Sequence, residues 1–231
     1  MKISYAGHQE IELNSKNPTV IATNNPTVYH DLVVGLSSFS DKVKVFDDNF
    51  ELVEVKDVID WQGDVGLSDG VSDKYNSGIF KQLEAVLTDD QRKSITDINN
   101  QLYTVVQQCL FMIDLPLEVT YDWDLKRLFK YCKIHFNTDA MQNPYAIIES
   151  IIKIHLECGL KSAVGLTNVA HYLNQQQFID LSNLASSTGI STLLVEFTDM
   201  KSQELYTNCD FYYIDEDFVD VVKVAIGIKL L

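Results

Sequence analysis

The only dense group of cationic side chains in this sequence lies between positions 126 and 133 and could bind phosphate groups. The cations are Lys126, Arg127, Lys130 and Lys133, and the aromatic residues Phe129 and Tyr131 are interleaved with them. On a helix, Lys126 and Lys130 would share a face, because residues at i and i+4 are neighbours. Such contacts reach phosphates and not bases, so binding would be independent of base sequence and would weaken with salt. The alternative interpretation is an ordinary solvated helix face.

Three carboxylates precede this basic cluster and could hold a calcium ion. They are Glu118, Asp122 and Asp124, and no cysteine or histidine lies among them to favour zinc. Calcium takes about six to eight oxygen ligands, several of which can be carboxylates on a flexible turn. The residues alone favour a simpler role, in which the carboxylates complement the dipole at the start of the next helix. A second acidic cluster, Asp215 to Asp217, fits a solvated strand end better than a metal site.

The strand–turn–helix pattern from Thr19 to Leu36 lacks the residues that a nucleotide site needs. A phosphate-binding loop requires glycines, so that backbone N–H groups can converge on the phosphates, and a Lys-Ser or Lys-Thr pair. The turn Thr23–Pro26 has neither, and Gly35, the only glycine in the stretch, comes too late. The pattern is therefore typical of a nucleotide-binding architecture without nucleotide chemistry. It favours a binding module over an enzyme.

The remaining reactive side chains form no recognisable catalytic pattern. The histidines at positions 135, 155 and 171 have no serine or cysteine partner in a familiar motif. His155 and Cys158 have a helical spacing that could share a metal, but no second ligand pair accompanies them. The four cysteines lie far apart without a C-x-x-C pair, so we expect reduced thiols. We expect no catalytic activity.

Composition predicts a globular protein with an acidic surface. The 231 residues are 46% apolar, and their formal charge of −15 opposes binding to polyanions. The charge is uneven, because residues 71–145 hold 8 Lys and Arg against 10 Asp and Glu, and the rest holds 10 against 23. No apolar stretch approaches the ~20 residues of a membrane helix. Since Met1–Tyr5 also lacks a secretory pattern, we expect a cytoplasmic protein.

The elements that must position these residues divide into an α/β part and a helical part. Short apolar runs make the first 61 residues β-rich, and recurring Asp, Gly and Ser between Gly63 and Gly78 indicate a linker. Thr88 and Gln91 then have the spacing of a capping box that starts a helix reaching to Asp114. An apolar seam follows at positions 95, 98, 102, 105, 109 and 112. A seam of this length needs another helix, from this chain or from a partner.

The cleanest α/β pattern lies in residues 161–198, where two apolar strands flank an amphipathic helix. Two strands joined in this way should be parallel neighbours with a right-handed crossover. The predicted architecture is an α/β head with a parallel sheet, formed by residues 1–70 and 146–231. A helical leg, residues 71–145, is inserted between the two parts of the head.

The ordered set of these segments resembles the Csn-two family, the small CRISPR-associated adaptation proteins of type II-A systems. The set comprises the strand Pro18–Ala22, the helical insertion, and the segments Asn168–Leu173, Ser191–Glu196 and Tyr213–Phe218. The likeness covers nearly the whole chain in order and length, and no single motif carries it. The strongly acidic balance and the apolar residues 221–231 depart from many members.

The resemblance implies a head like that of a P-loop NTPase without a working phosphate loop, and a function without catalysis. It implies a homotetrameric ring that binds calcium and takes double-stranded DNA ends through its central hole. Such rings serve spacer acquisition in antiviral defence, beside the integrase proteins and the effector nuclease of the same locus.

The family's calcium sites fall in the region of Glu118, Asp122 and Asp124. Lys126, Arg127, Lys130 and Lys133, with Lys153 and Lys161 as weaker candidates, would then contact the DNA backbone inside the ring. Two other functions stay open. One is an NTPase or kinase with an unconventional phosphate loop, and the other is a structural scaffold that binds partner proteins.

Overall fold

The chain forms an α/β unit and a helical unit. The computed structural model describes residues 1–38, 40–68, 71, 73–121, 124–137 and 140–223. One unit consists of Met1–Ser72 with Phe136–Leu231, and the other of Asp73–His135. The predicted boundaries of the inserted leg were 71 and 145.

The strands and helices within the described ranges are as follows. The strands are β1 (Lys2–Tyr5), β2 (Ile11–Glu12), β3 (Thr19–Thr23), β4 (Val43–Phe46), β5 (Leu52–Val53), β6 (Ile59–Gly63), β7 (Ala163–Thr167), β8 (Thr192–Phe197), β9 (Asp210–Ile214) and β10 (Asp220–Lys223). The α-helices are α1 (Pro26–Ser37), α2 (Val55–Val58), α3 (Asn76–Val86), α4 (Asp89–Leu110), α5 (Leu125–Tyr131), α6 (Pro144–Glu157) and α7 (Gln175–Thr188). Among the described residues, no helix combines the length and the apolar character that crossing a membrane would take.

A six-stranded, largely parallel sheet organises the α/β unit. Its strand order is β10-β9-β3-β8-β7-β6, and only β10 runs antiparallel to its neighbour. The strands β3, β7 and β9 are buried at every position, as expected of parallel strands covered on both faces. The predicted α/β class is confirmed, and so is the parallel pairing of β7 with β8 through α7.

A smaller antiparallel sheet, in the order β2-β1-β4-β5, completes the core of this unit. The helix α1 buries Val28, Leu32 and Leu36 in the same apolar cluster as residues of both sheets. A Cβ at Gly35 would lie 2.5 Å from the Cβ of Val43, so glycine is what lets α1 approach β4 closely.

The helical unit has a small core and a long exposed helix. Phe80, Leu125 and Phe129 form its buried cluster. The predicted capping box at the start of α4 is present, because Thr88 and Gln91 bond reciprocally to each other's backbone N–H groups. The predicted extension to Asp114 is wrong, since α4 ends at Leu110. Tighter i→i+3 bonds follow, such as the one from Ile113 N to the Leu110 carbonyl, and Pro116 disfavours helix in the residue before it.

Candidate nucleic-acid interface

The short helix α5 is oriented by one apolar face and by a cap at its start. Leu125 and Phe129 are buried, and the Phe129 ring centroid lies 5.7 Å from that of Phe80. The Oδ1 atom of Asp124 accepts a hydrogen bond of 2.9 Å from the backbone N–H of Lys126. These contacts turn the opposite face of α5 to solvent.

The four predicted cations lie together on this exposed surface. Lys126, Arg127 and Lys130 are exposed residues of α5. Lys133 follows the helix in a left-handed conformation (φ 51°), and its N–H donates to the carbonyl of Lys130 at 3.0 Å. No acidic residue occurs from 125 to 137, so the segment is locally cationic although the chain is acidic. The nearest acid in sequence is Asp124, whose Oδ2 lies 3.9 Å from Arg127 Nε.

Lys153 is a predicted DNA-binding residue that lies outside the helical unit. Lys153 belongs to α6 of the α/β unit, and its Nζ lies 2.7 Å from Glu149 Oε1 in an i, i+4 ion pair. An exposed pair of this kind is worth little stability, but it occupies the ammonium group. Lys153 is therefore a weaker candidate than the cations of α5.

The predicted calcium ligands are only partly described. Asp122 lies outside the described residues, Glu118 is exposed, and Asp124 caps α5. Across the described ranges, no group of three or more His, Cys, Asp and Glu side chains is placed to hold a metal ion. Glu118 and Asp124 alone offer fewer oxygens than the roughly six that calcium requires. A calcium ion here would need further ligands from Asp122, from backbone carbonyls or from another subunit.

The side chain of Asn25 caps the start of α1 in the turn after β3. Asn25 Oδ1 accepts from Thr27 N at 2.9 Å and from Val28 N at 3.3 Å, and Asn25 Nδ2 donates to the Glu216 carbonyl at 3.2 Å. A helix N-terminus binds phosphate through its free N–H groups. Here Asn25 satisfies two of them, those of Thr27 and Val28.

Sequence reasoning missed a hydrogen-bonded network at the carboxyl ends of β6 and β7. Asn168, in the left-handed region at φ 56°, accepts from the Tyr29 hydroxyl at 3.0 Å and donates to Asp64 Oδ2 at 3.3 Å. Asp64 Oδ1 also accepts from the Tyr172 hydroxyl at 2.7 Å. Open α/β folds place ligands at this edge, but these polar groups bond to one another instead.

Glu196, at the carboxyl end of β8, is the most perturbed carboxyl group of this edge. Its side chain is buried and accepts from the N–H groups of Val169 at 2.8 Å and Ala170 at 3.4 Å. Burial raises the pKa of Glu196 to about 8, against the lowering effect of those two hydrogen bonds. The available signal was its position after the apolar run Thr192–Val195. Its contacts fix the turn that begins at Asn168.

His155 contacts an oxygen atom through each of its two ring nitrogens. Its ring is fully buried, with Nε2 at 2.9 Å from Asp60 Oδ2 and Nδ1 at 3.0 Å from the Ser162 carbonyl. Both ring nitrogens therefore face oxygen atoms of β6 and of the residue just before β7. The imidazole connects α6 to the edge of the sheet.

The fold and this surface together define an α/β protein with a helical insertion that carries an exposed cationic helix. A solved structure with a similar fold is the crystal structure of Stu0660 of Streptococcus thermophilus. The similarity has a TM-score of 0.60 at 11% sequence identity, and it covers 98% of this chain and 77% of that chain. At this identity the likeness establishes a shared fold. No protein-family model and no curated protein matches the chain.

Proposed function

We propose that this chain is a non-catalytic protein that binds double-stranded DNA ends without sequence preference and serves CRISPR spacer acquisition. The observation that carries DNA binding is the exposed cationic surface of α5. Four exposed cations within eight residues suit contact with a phosphate backbone, and such contacts carry no preference for base sequence. The CRISPR assignment rests on the resemblance of the ordered sequence segments to the Csn-two family.

The proposal includes assembly into a homotetrameric ring, and the exposed apolar seam of α4 supports association between copies of the chain. Ile98, Leu102 and Val105 are 63%, 53% and 55% exposed on a helix that has no buried residue. Full burial of one such side chain contributes roughly 1.5–3 kcal/mol, so covering the seam would favour association. The seam carries no charge, which suits contact with a second copy. Four copies of the cationic surface in one assembly would bind DNA more tightly than the surface of a single subunit.

Calcium would act as a structural cofactor beside α5. Glu118, Asp122 and Asp124 would hold the ion together with oxygens from another subunit. Neutralising these carboxylates would lower the repulsion between the acidic segment and the DNA phosphates. No nucleotide takes part in this function, since Asn25 closes the turn where phosphates would bind. The integrase proteins and the effector nuclease of the same locus are the expected protein partners.

A structural scaffold is the second candidate, because the same α4 seam could receive another protein. One experiment separates the two functions. Linear and covalently closed circular duplexes of equal length are mixed with the protein in calcium or in chelator, and their retention is compared. A DNA-threaded ring retains linear DNA in calcium and releases sealed circles. A scaffold retains neither form, and that result would contradict the proposal.

A further inference from the structure

The two aromatic residues of α5 differ sharply in their surroundings. Phe129 is 8% exposed and packs on Phe80, whereas Tyr131, two residues later, is 79% exposed. Tyr131 lies four residues after Arg127 and directly after Lys130, so its ring shares the cationic face. An exposed aromatic ring among cations is the combination that binds single-stranded nucleic acid.

A perfectly paired duplex gives such a ring little to contact. Its bases are stacked inside the helix, and a backbone-binding surface meets only phosphates and sugars. An unpaired base presents an open face, and stacking on an aromatic side chain is worth roughly tenfold or more in affinity. Tyr131 therefore adds an interaction that the lysines cannot supply.

We infer that α5 recognises DNA ends that carry a single-stranded extension. Lys126, Arg127 and Lys130 hold the backbone, and Tyr131 stacks on an unpaired base. This inference rests on the proposed function and narrows its substrate class. Charge complementarity favours a nucleic acid as the ligand of α5. The residues that flank Tyr131 in sequence include Lys130 and Lys133 and no acid. If α5 instead bound a protein, the partner's surface would have to be acidic. In that case the chain would not bind extended and blunt DNA with different affinities.

The test compares a labelled blunt duplex with the same duplex bearing a short oligothymidine extension. Fluorescence anisotropy is measured with the full chain and with Tyr131→Ala and Tyr131→Phe. Tyr121→Ala is the matched control, because Tyr121 is a half-exposed tyrosine of the same unit that packs on Tyr103. Circular dichroism establishes that each variant is folded.

The wild-type chain is expected to bind the extended duplex about tenfold more tightly than the blunt one. Tyr131→Ala should remove this difference and leave the affinity for blunt duplex unchanged, while Tyr131→Phe and Tyr121→Ala should preserve it. A wild-type chain without the preference, or a Tyr131→Ala variant that retains it, overturns the inference. Both outcomes leave the proposed function standing as long as the blunt duplex is bound. Failure to bind either duplex contradicts the proposed function itself.

Discussion

The buried carboxyl group of Glu196 accepts a 2.8 Å hydrogen bond from the backbone N–H of Val169. This contact joins the end of β8 to the turn after β7. It determines the conformation of an edge at which other α/β proteins bind ligands. Its energetic consequence depends on pH, because burial raises the pKa of Glu196 to about 8.

Stability should therefore fall as pH rises through the interval between the unfolded and folded pKa values of Glu196. The folded protein holds a proton that the unfolded chain has released between about pH 4.5 and pH 8. Glu196→Gln removes this titration and should flatten the dependence. The free energy of unfolding is measured by urea denaturation from pH 5 to pH 9. Its decrease over this range should be larger in the wild type than in Glu196→Gln, by at least about 1 kcal/mol. The exposed Glu204→Gln is the control, and equal slopes in all three proteins would exclude a raised pKa.

Asp124 has two proposed roles, which two substitutions separate. Asp124→Ala removes the cap of α5 and should destabilise the helical unit by about 1 kcal/mol. Asp124→Asn retains a capping oxygen but loses the charge that a calcium ligand needs. Calcium should raise the melting temperature of the wild type, and Asp124→Asn should abolish that increase. Asp97→Asn, an exposed carboxylate of α4, is the control. A calcium shift that persists in Asp124→Asn would remove Asp124 from the metal site.

The seam of α4 should carry the assembly. Leu102→Glu places a charge within it and should reduce the native mass in calcium from tetramer to smaller species. Gln107→Glu makes the same charge change on the opposite face of the helix and should leave the mass unaltered. Native mass spectrometry and sedimentation velocity report both outcomes. A monomeric wild-type chain, with or without calcium, would refute the ring.

Nucleotides should leave the protein unchanged. Because Asn25 occupies two N–H groups at the start of α1, ATP and GTP with magnesium should shift the melting temperature by less than a degree or so. Phosphate release should equal that of buffer. A clear thermal shift would instead support the NTPase or kinase.

Local chemistry explains which features were predictable from the sequence. The capping box at Thr88 and the strand β7 could be inferred, because side-chain spacing alone specifies a cap or a fully buried strand. The strand β10 was not identified. It has only four residues, two apolar ones between two charged ones. Its place is determined by pairing with β9 and by Asp220, whose Oδ1 lies 2.6 Å from Nδ1 of His8. Such long-range contacts leave no local pattern.

Some features of the candidate site could likewise be predicted from the sequence, and others could not. Lys126 and Lys130 could be assigned to one face, since helical periodicity determines it. The exposure of Tyr131 could not, because it depends on Phe129 taking the place beside Phe80. Glu196 was passed over since a single acid after a strand looks like many solvated strand ends. Only the fold brings Val169 to it.

The salt dependence of DNA binding tests the central claim most directly. The logarithm of the affinity for a linear duplex is measured against the logarithm of salt concentration for the wild type, Lys126→Gln/Lys130→Gln, and Lys81→Gln/Lys93→Gln, two exposed lysines outside α5. We expect the α5 variant to bind more weakly. The magnitude of its slope should fall by about 1.8 for each subunit that contacts the DNA, because each lost phosphate contact removes roughly 0.9. The other variant should match the wild type. An α5 variant with the wild-type slope would contradict the account.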